Sequence, residues 1–185
     1  MSASPLPIAV RQLDALQPPK LAEVLAIENE AFPPCERLGG PLLQHHAKLR
    51  TSGLLVAEIG SAVAGFLLYS KQADTAVIAK IAVASAFQRQ GVGGALLQHG
   101  IFELQYSSRR PTSELMLHVD PERLGARALY ESKGFVQTEL LRNYYEDQRD
   151  AIVMKLRRDP AAPQRGGVAA TAIRRKQQQL QQLGV

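Results

Sequence analysis

Residues 81–94 read Ile-Ala-Val-Ala-Ser-Ala-Phe-Gln-Arg-Gln-Gly-Val-Gly-Gly. A short apolar run passes into a polar turn, Gln88-Arg89-Gln90. A Gly-rich segment, Gly91-Val92-Gly93-Gly94, then opens a helical pattern. Glycine lets a backbone approach a ligand closely. The first amides of a helix are unpaired donors at the positive end of its dipole. Together these features make a site for phosphate oxygens. A plain strand–helix turn with solubilising side chains has the same composition, so the spacing leaves both readings open. The segment is not a P-loop, because Lys-Ser/Thr does not follow, and it does not fit G-x-G-x-x-G.

Other residue types with chemistry are scattered. His118 sits in the strand-like run Leu115-Met-Leu-His-Val119, where a histidine is as a rule structural. Tyr130 lies on a helical pattern that ends at Gly134, and a helix tyrosine packs readily into a core. Tyr144-Tyr145 and Phe32-Pro33-Pro34 offer apolar walls, and the phenols can also hydrogen-bond. Strand-edge packing also accounts for the two tyrosines. His45, His46 and His99 lack ligand-like partners in the sequence and read as surface or packing residues. The single Cys35 has no internal disulfide partner and builds no metal site. A reducing, cytoplasmic setting is the default expectation.

The elements that must position these residues follow from periodicity. Pro7–Leu13 reads as a strand, and Pro18-Pro19 punctuate before a helix from Lys20 to Phe32, with Leu21, Val24, Leu25, Ile27 and Ala31 at helical spacing. Pro33-Pro34 stop it. A second helix is expected over 41–50. Strands follow at 54–59 and 62–69 around the hairpin signal Gly60-Ser61, and at 75–83. A helix over Gly91–Tyr106 presents Val92, Leu96, His99 and Phe102 as its stripe. Then come a strand at 114–119, a helix at 122–133 closed by Gly134, and strands at 135–141 and 151–156. The order β-α-α-β-β-β-α-β-α-β-β predicts an α/β fold with a sheet of mixed strand direction.

The chain has 185 residues, enough for one domain with a real core, and 45% are hydrophobic. Its longest apolar runs are too short for a membrane span, and its start lacks a secretory leader pattern. The net charge of +5 is local. Six bases and one acid follow Leu156, which leaves sixteen of each before it. A nucleic-acid-binding core carries excess positive charge. This one is neutral, so any polyanion affinity belongs to the tail. A domain over residues 1–158 and a basic Gln-rich tail over 159–185 are expected, the tail holding a linker and a helix from about Val168 to Leu183. The tail fits both a ribosome or auxiliary-subunit anchor and a solvated end.

Three blocks carry a family resemblance. Gln88, Gly91 and Gly93 fit the pattern Gln/Arg-x-x-Gly-x-Gly/Ala. Ala126-Arg-Ala-Leu-Tyr130-Glu-Ser-Lys-Gly134-Phe135 fits A-x-x-L-Y-x-x-x-G-F, and Arg142-Asn-Tyr144-Tyr145 precedes Asp150-Ala-Ile-Val-Met154. Over roughly Ile8–Leu156 the chain resembles the ribosomal-protein-alanine and eukaryotic N-terminal acetyltransferases of the GNAT superfamily. That resemblance implies a mixed sheet of about seven strands flanked by about four helices. It also implies acetyl-CoA as cosubstrate, no metal, and direct attack by an amine with no acyl-enzyme. It places acetyl-CoA on Ile81, Ala82 and Val83 and on Gln88, Arg89, Gln90, Gly91, Val92, Gly93 and Gly94. Tyr130 becomes the acid for the leaving thiolate and a cofactor contact, His118 the base for the amine. Phe32, Pro33, Pro34, His118, Tyr144 and Tyr145 would hold a peptide or protein N-terminus. Two positions depart from the pattern. Val77 stands where some relatives have a supporting tyrosine, and Arg123 where an asparagine meets the cofactor, so Arg123 either meets a phosphate or faces solvent.

The acceptor class follows from proton chemistry. An α-amine with a pKa near ~7.8 is neutral at physiological pH roughly two orders of magnitude more often than a lysine near ~10.4. A weak base near ~6.5, such as a histidine, suffices for it. Lysine or small-amine acetylation is the alternative, and a non-catalytic CoA-binding, ribosome-associated protein a further one.

Overall fold

The computed structural model describes residues 7–13, 17–145 and 148–161. The elements are β1 (Ile8–Gln12), α1 (Pro18–Ala31), α2 (Gly39–Lys48), β2 (Ser52–Ile59), β3 (Ala62–Gln72), β4 (Thr75–Val83), α3 (Val92–Phe102), β5 (Glu114–Val119), α4 (Leu124–Ser132), β6 (Val136–Leu141) and β7 (Ala151–Arg157). The expected order holds, with most ends shifted by at most two residues and β3 running three residues further than expected, to Gln72. The expected tail helix at 168–183 lies outside the described residues.

Seven strands form one sheet in the order β1-β2-β3-β4-β5-β7-β6. Every neighbouring pair is antiparallel except β4–β5, which the α3 crossover makes parallel. Both faces of the central strands are covered, so β2 and β3 are near-continuous apolar runs. Leu54, Val56, Phe66 and Leu68 pack with Leu21, Val24, Ile27 and Leu43 of α1 and α2. Leu55, Ala57, Leu67 and Tyr69 pack on the opposite side with Leu96, Leu97 and Ile101 of α3 and Tyr130 of α4.

Local chemistry sets the ends. Pro18 and Pro19 occupy the first turn of α1, where a missing N–H costs nothing. Phe32 leaves the helix in extended conformation ahead of the two prolines. Gly134, at φ +88°, closes α4 in the left-handed region that glycine tolerates.

Helix α3 departs from expectation in two ways. It ends at Phe102, and a wider turn over Glu103–Ser107 follows, closed by the Ser108 amide donating to the Glu103 carbonyl at 3.0 Å. Its buried face is Val92, Leu96, Leu97, Gly100 and Ile101, not a stripe through His99 and Phe102. His99 sits at the margin, 4.0 Å from Glu103. Gly100 lets the helix lie close on Leu67, 3.3 Å from where a Cβ would stand.

Strand β4 carries an irregularity that matters below. Leu68 pairs with Lys80 but Tyr69 with Ile78, so Ala79 is an extra residue. A bulge reverses which face later side chains meet. Ala76 and Ile78 belong to the α3/α4 core, whereas Ala82 belongs to the α1/α2 core.

Gly65 on β3 faces this stretch, and a Cβ there would stand 2.7 Å from the Ala82 carbonyl oxygen. Gly65→Ala is therefore expected to destabilise the fold by about 1–3 kcal/mol. Gly125→Ala, in open space near the start of α4, is expected to be neutral or stabilising by up to about 1 kcal/mol. Chemical denaturation of the two variants checks the contrast.

Candidate active site

β4 and β5 pair in register only from Thr75–Glu114 to Ile78–Leu117. Beyond that both strands run on, and they line the two walls of a cavity of about 360 Å³. Ile78–Val83 form one wall and Leu117–Asp120 the other. Gly93 of α3 and Ala126, Leu129 and Tyr130 of α4 close one end. Phe32, Glu36, Arg123 and Tyr145 rim the other. On its far edge β4 remains bonded to β3, with Ala82 opposite Phe66 and Ile81 opposite Leu67. Its backbone on the β5 side faces the cavity.

The turn after β4 aims a helix at this opening. Gln88 donates its side-chain amide to the Val83 carbonyl at 3.3 Å, and Gln90 bonds the Ala86 carbonyl at 3.0 Å. Both side chains thus brace the turn. Arg89 (φ +61°) and Gly91 (φ +85°) are left-handed, a pattern that turns successive amides into an anion-binding concavity. The first helical bond of α3 is Ala95 N–H to the Gly91 carbonyl, so the amides of Val92, Gly93 and Gly94 precede the ladder. The glycines serve different needs. Gly91 needs its backbone angle, and its Cβ position is open space. Gly93 needs closeness, with a Cβ falling 3.2 Å from Leu129.

His118 and Tyr130 both line the cavity. His118 is half-buried on β5 opposite Val153, its ring stacked on Tyr144 with centroids 4.7 Å apart and planes 12° from parallel. Burial pulls its pKa below the ordinary imidazole value, and Glu139 partly opposes that. Tyr130 is buried, and burial pushes its phenol well above the usual range, so it stays protonated. Tyr145 is pushed up to about 12, first by burial and then by Glu36.

At the rim, Arg149 pairs with Glu36 and, at 2.7 Å, with Asp120. It also stacks over Tyr145 at 5.1 Å. Burial alone would raise Asp120, but the Glu122 amide and Arg149 together hold it below the usual carboxylate value. Arg123 lines the cavity with its guanidinium 3.7 Å from Glu36 and over the Phe32 ring at 5.4 Å. Arg123 thus lines the cavity while its guanidinium meets an acid and a ring at the rim. Pro33 and Pro34 hold the turn behind Phe32, with the Pro33 carbonyl accepting from Glu36 at 3.0 Å. Among the described residues no group of three or more His, Cys, Asp or Glu is placed to hold a metal. No described helix is long and apolar enough to cross a membrane.

Residues 21–135 match the model of the acetyltransferase (GNAT) family. The chain belongs to that family. It is similar to the [ribosomal protein bS18]-alanine N-acetyltransferase of Escherichia coli strain K12, 41% identical over 97 residues. That stretch covers 51% of this chain, and the chain spans 64% of that relative's length. An N-alpha-acetyltransferase of Sulfurisphaera tokodaii is 32% identical over 123 residues, 59% of this chain and 71% of the relative. The crystal structure of the ribosomal-protein-S18-alanine N-acetyltransferase from Escherichia coli superposes with a TM-score of 0.68 at 29% identity. The match covers 84% of this chain and 98% of that one.

Sequence reasoning missed Glu28, Glu36, Lys80, Asp120 and Arg149. Glu28 had a signal, since it continues the buried stripe Leu21, Val24, Ile27 of α1 as a charged residue. The others join only through tertiary contacts.

The stack on Tyr144 yields a direct test. Removing that ring with Tyr144→Ala readmits water to the imidazole and is expected to raise the His118 pKa toward its ordinary value. Glu139→Gln is expected to lower it further. NMR titration of the His118 ring reads both signs.

Proposed function

We propose that the protein transfers the acetyl group of acetyl-CoA to the α-amine of a peptide or protein N-terminus, by direct attack. The supporting observation is that a half-buried imidazole and a buried phenol converge on one cavity between parted strands, beside the uncapped start of α3. The open edge of Ile81, Ala82 and Val83 supplies backbone groups for the amides of the pantetheine arm. The concavity from Gln88 to Gly94, with the amides of Val92, Gly93 and Gly94, suits a pyrophosphate. Names of the similar proteins support the acceptor class: one acts on the alanine of a ribosomal protein, and another is an N-alpha-acetyltransferase.

The two titratable groups are displaced in the directions the chemistry needs. A neutral His118 accepts a proton from the attacking amine, directly or through water. The amine nitrogen bonds the thioester carbon, the carbon–sulfur bond breaks, and Tyr130 protonates the departing thiolate. Environments that push an acid and a base apart in this way support that division of roles. Phe32, Pro33, Pro34, Tyr144 and Tyr145 wall the acceptor slot, and Arg123 joins that side through Phe32 and Glu36. Residues 1–158 form the catalytic unit. The basic tail, 159–185, is a ribosome-directed anchor dispensable for chemistry, whose phosphate contacts would be salt-sensitive.

Four measurements test this reading. CoA release should occur with peptides bearing a free N-terminus and fail with blocked ones, and lysine-containing blocked peptides should not restore it. Tyr130→Phe should lower kcat by about a hundredfold or more while CoA affinity stays near the parent's. His118→Ala should lower kcat comparably and remove the acidic limb of its pH profile, because protonating His118 as pH falls removes the base. Gly91→Glu should abolish tight CoA binding in calorimetry, since the side chain enters the pyrophosphate space and the backbone angle disfavours it.

A further inference from the structure

Position 80 is where β4 changes sides. The extra residue at Ala79 turns Lys80 toward α1, and its side chain is only 8% exposed. There its ammonium lies 3.1 Å from the carboxylate of Glu28, which is fully buried. The same carboxylate accepts the backbone N–H groups of Leu38 at 2.9 Å and Gly39 at 3.0 Å, where α2 begins. Lys80 also donates to the Glu36 carbonyl and sits over the Phe32 ring at 3.9 Å.

These contacts meet one stretch of chain at four points: Phe32, Glu36, Leu38 and Gly39. The backbone bonds within the stretch are local, from Glu36 to Pro33 and from Arg37 to Pro34. A segment held by local turns takes its placement from what grips it. Arg123 and Arg149 reach the carboxylate of Glu36, and Arg37 bonds back to the Phe32 and Asn29 carbonyls. The buried grip comes from β4, through Lys80, one residue before Ile81, and Lys80 itself lines the cavity.

Building on the proposed acceptor role of Phe32–Pro34, we propose that Lys80 and Glu28 form a positioning pair that fixes the acceptor wall, Phe32–Gly39, against strand β4. The pair touches neither reacting atom. It holds the Phe32 ring and the Glu36 turn at the distance from β4 that an incoming amine requires. Because Lys80 projects toward α1 while Ile81 and Val83 pack on the α3 side, the pair acts on the acceptor and leaves the acetyl donor alone.

The test separates placement from mere stability. Lys80→Met alone leaves the buried Glu28 carboxylate without its cation, which costs folding stability. The double variant Lys80→Met/Glu28→Gln removes both charges and keeps a side-chain carbonyl for one of the two amides. Steady-state kinetics with a free-N-terminus peptide should show KM raised about tenfold or more in the double variant, since a displaced wall gives up contacts made equally to bound peptide and transition state. Its kcat at saturation and its CoA affinity by calorimetry should stay within about threefold of the parent, the pattern of lost binding without lost chemistry. A folded double variant whose peptide KM matches the parent overturns the inference, and so does one that loses CoA affinity in step with KM. Should the double variant not fold, Glu28→Gln, which keeps hydrogen bonding but removes the charge, is read by the same criteria. A parent that turns over no free-N-terminus peptide sinks the functional reading instead, and the amine it does acetylate then replaces the peptide in the same comparison.

Discussion

The parting of β4 from β5 after four residue pairs is the constraint on which the rest depends. A sheet that stayed zipped would satisfy the backbone of Ile81–Val83 within itself and leave no cavity. The extra residue at Ala79 falls one position past the last pair, where it twists β4 away and ends the ladder. Buried backbone donors and acceptors need partners. An opening of this kind is stable because solvent or a ligand with amides of its own can supply them. It also places the C-terminal end of β4 and the start of α3 together, the usual location of ligands in open sheets with parallel strands.

The two sides of the sheet meet that opening with different chemistry. From the α3/α4 side come Leu117, Ala126, Leu129 and the buried Tyr130, a low-dielectric wall that keeps a phenol protonated. On the acceptor side stand charged groups in two sets, the buried pair Glu28–Lys80 and the linked set Glu36, Asp120, Arg123 and Arg149. His118 stands between them on the alternating strand β5, with Leu117 and Val119 turned into the α3/α4 core and its own ring turned the other way. Its depressed pKa follows from that half-buried seat under Tyr144 and not from any nearby cation.

Much of this was legible in the sequence, for reasons that can be named. Helical and strand periods survive folding because both faces of the sheet are covered, so each element had to carry its own apolar pattern. The Gly91–Gly94 junction and the closing Gly134 were readable because glycine takes a left-handed backbone without strain, as Gly91 and Gly134 do. The end of α3 was misplaced because the apolar pattern continues through Leu104 while the backbone widens into another kind of turn. His99 and Phe102 were misassigned to its buried stripe because a helix this apolar offers several stripes of similar quality. Lys80 was invisible for a deeper reason. Strict alternation from Ala76 and Ile78 would aim it into the α3/α4 core, where a lone ammonium is untenable. One inserted residue reverses the face, and nothing in the local sequence announces the bulge.

Recognition at the two ends of the cavity therefore rests on different parts of the chain. The proposed donor site is made of backbone: a free strand edge, the first amides of α3, and glycines required for angle or closeness. Such a site tolerates wide change in side chains, and a family can keep it at modest identity. The proposed acceptor site is made of side chains whose charges are balanced against one another across positions 28, 36, 80, 120, 123 and 149. Removing Lys80 leaves Glu28 buried without its cation, and removing Arg149 takes the cation from Asp120, so these positions are not free to change one at a time. On the proposed reading, acceptor preference belongs to those charged groups, and the family resemblance carries much less information about the amine.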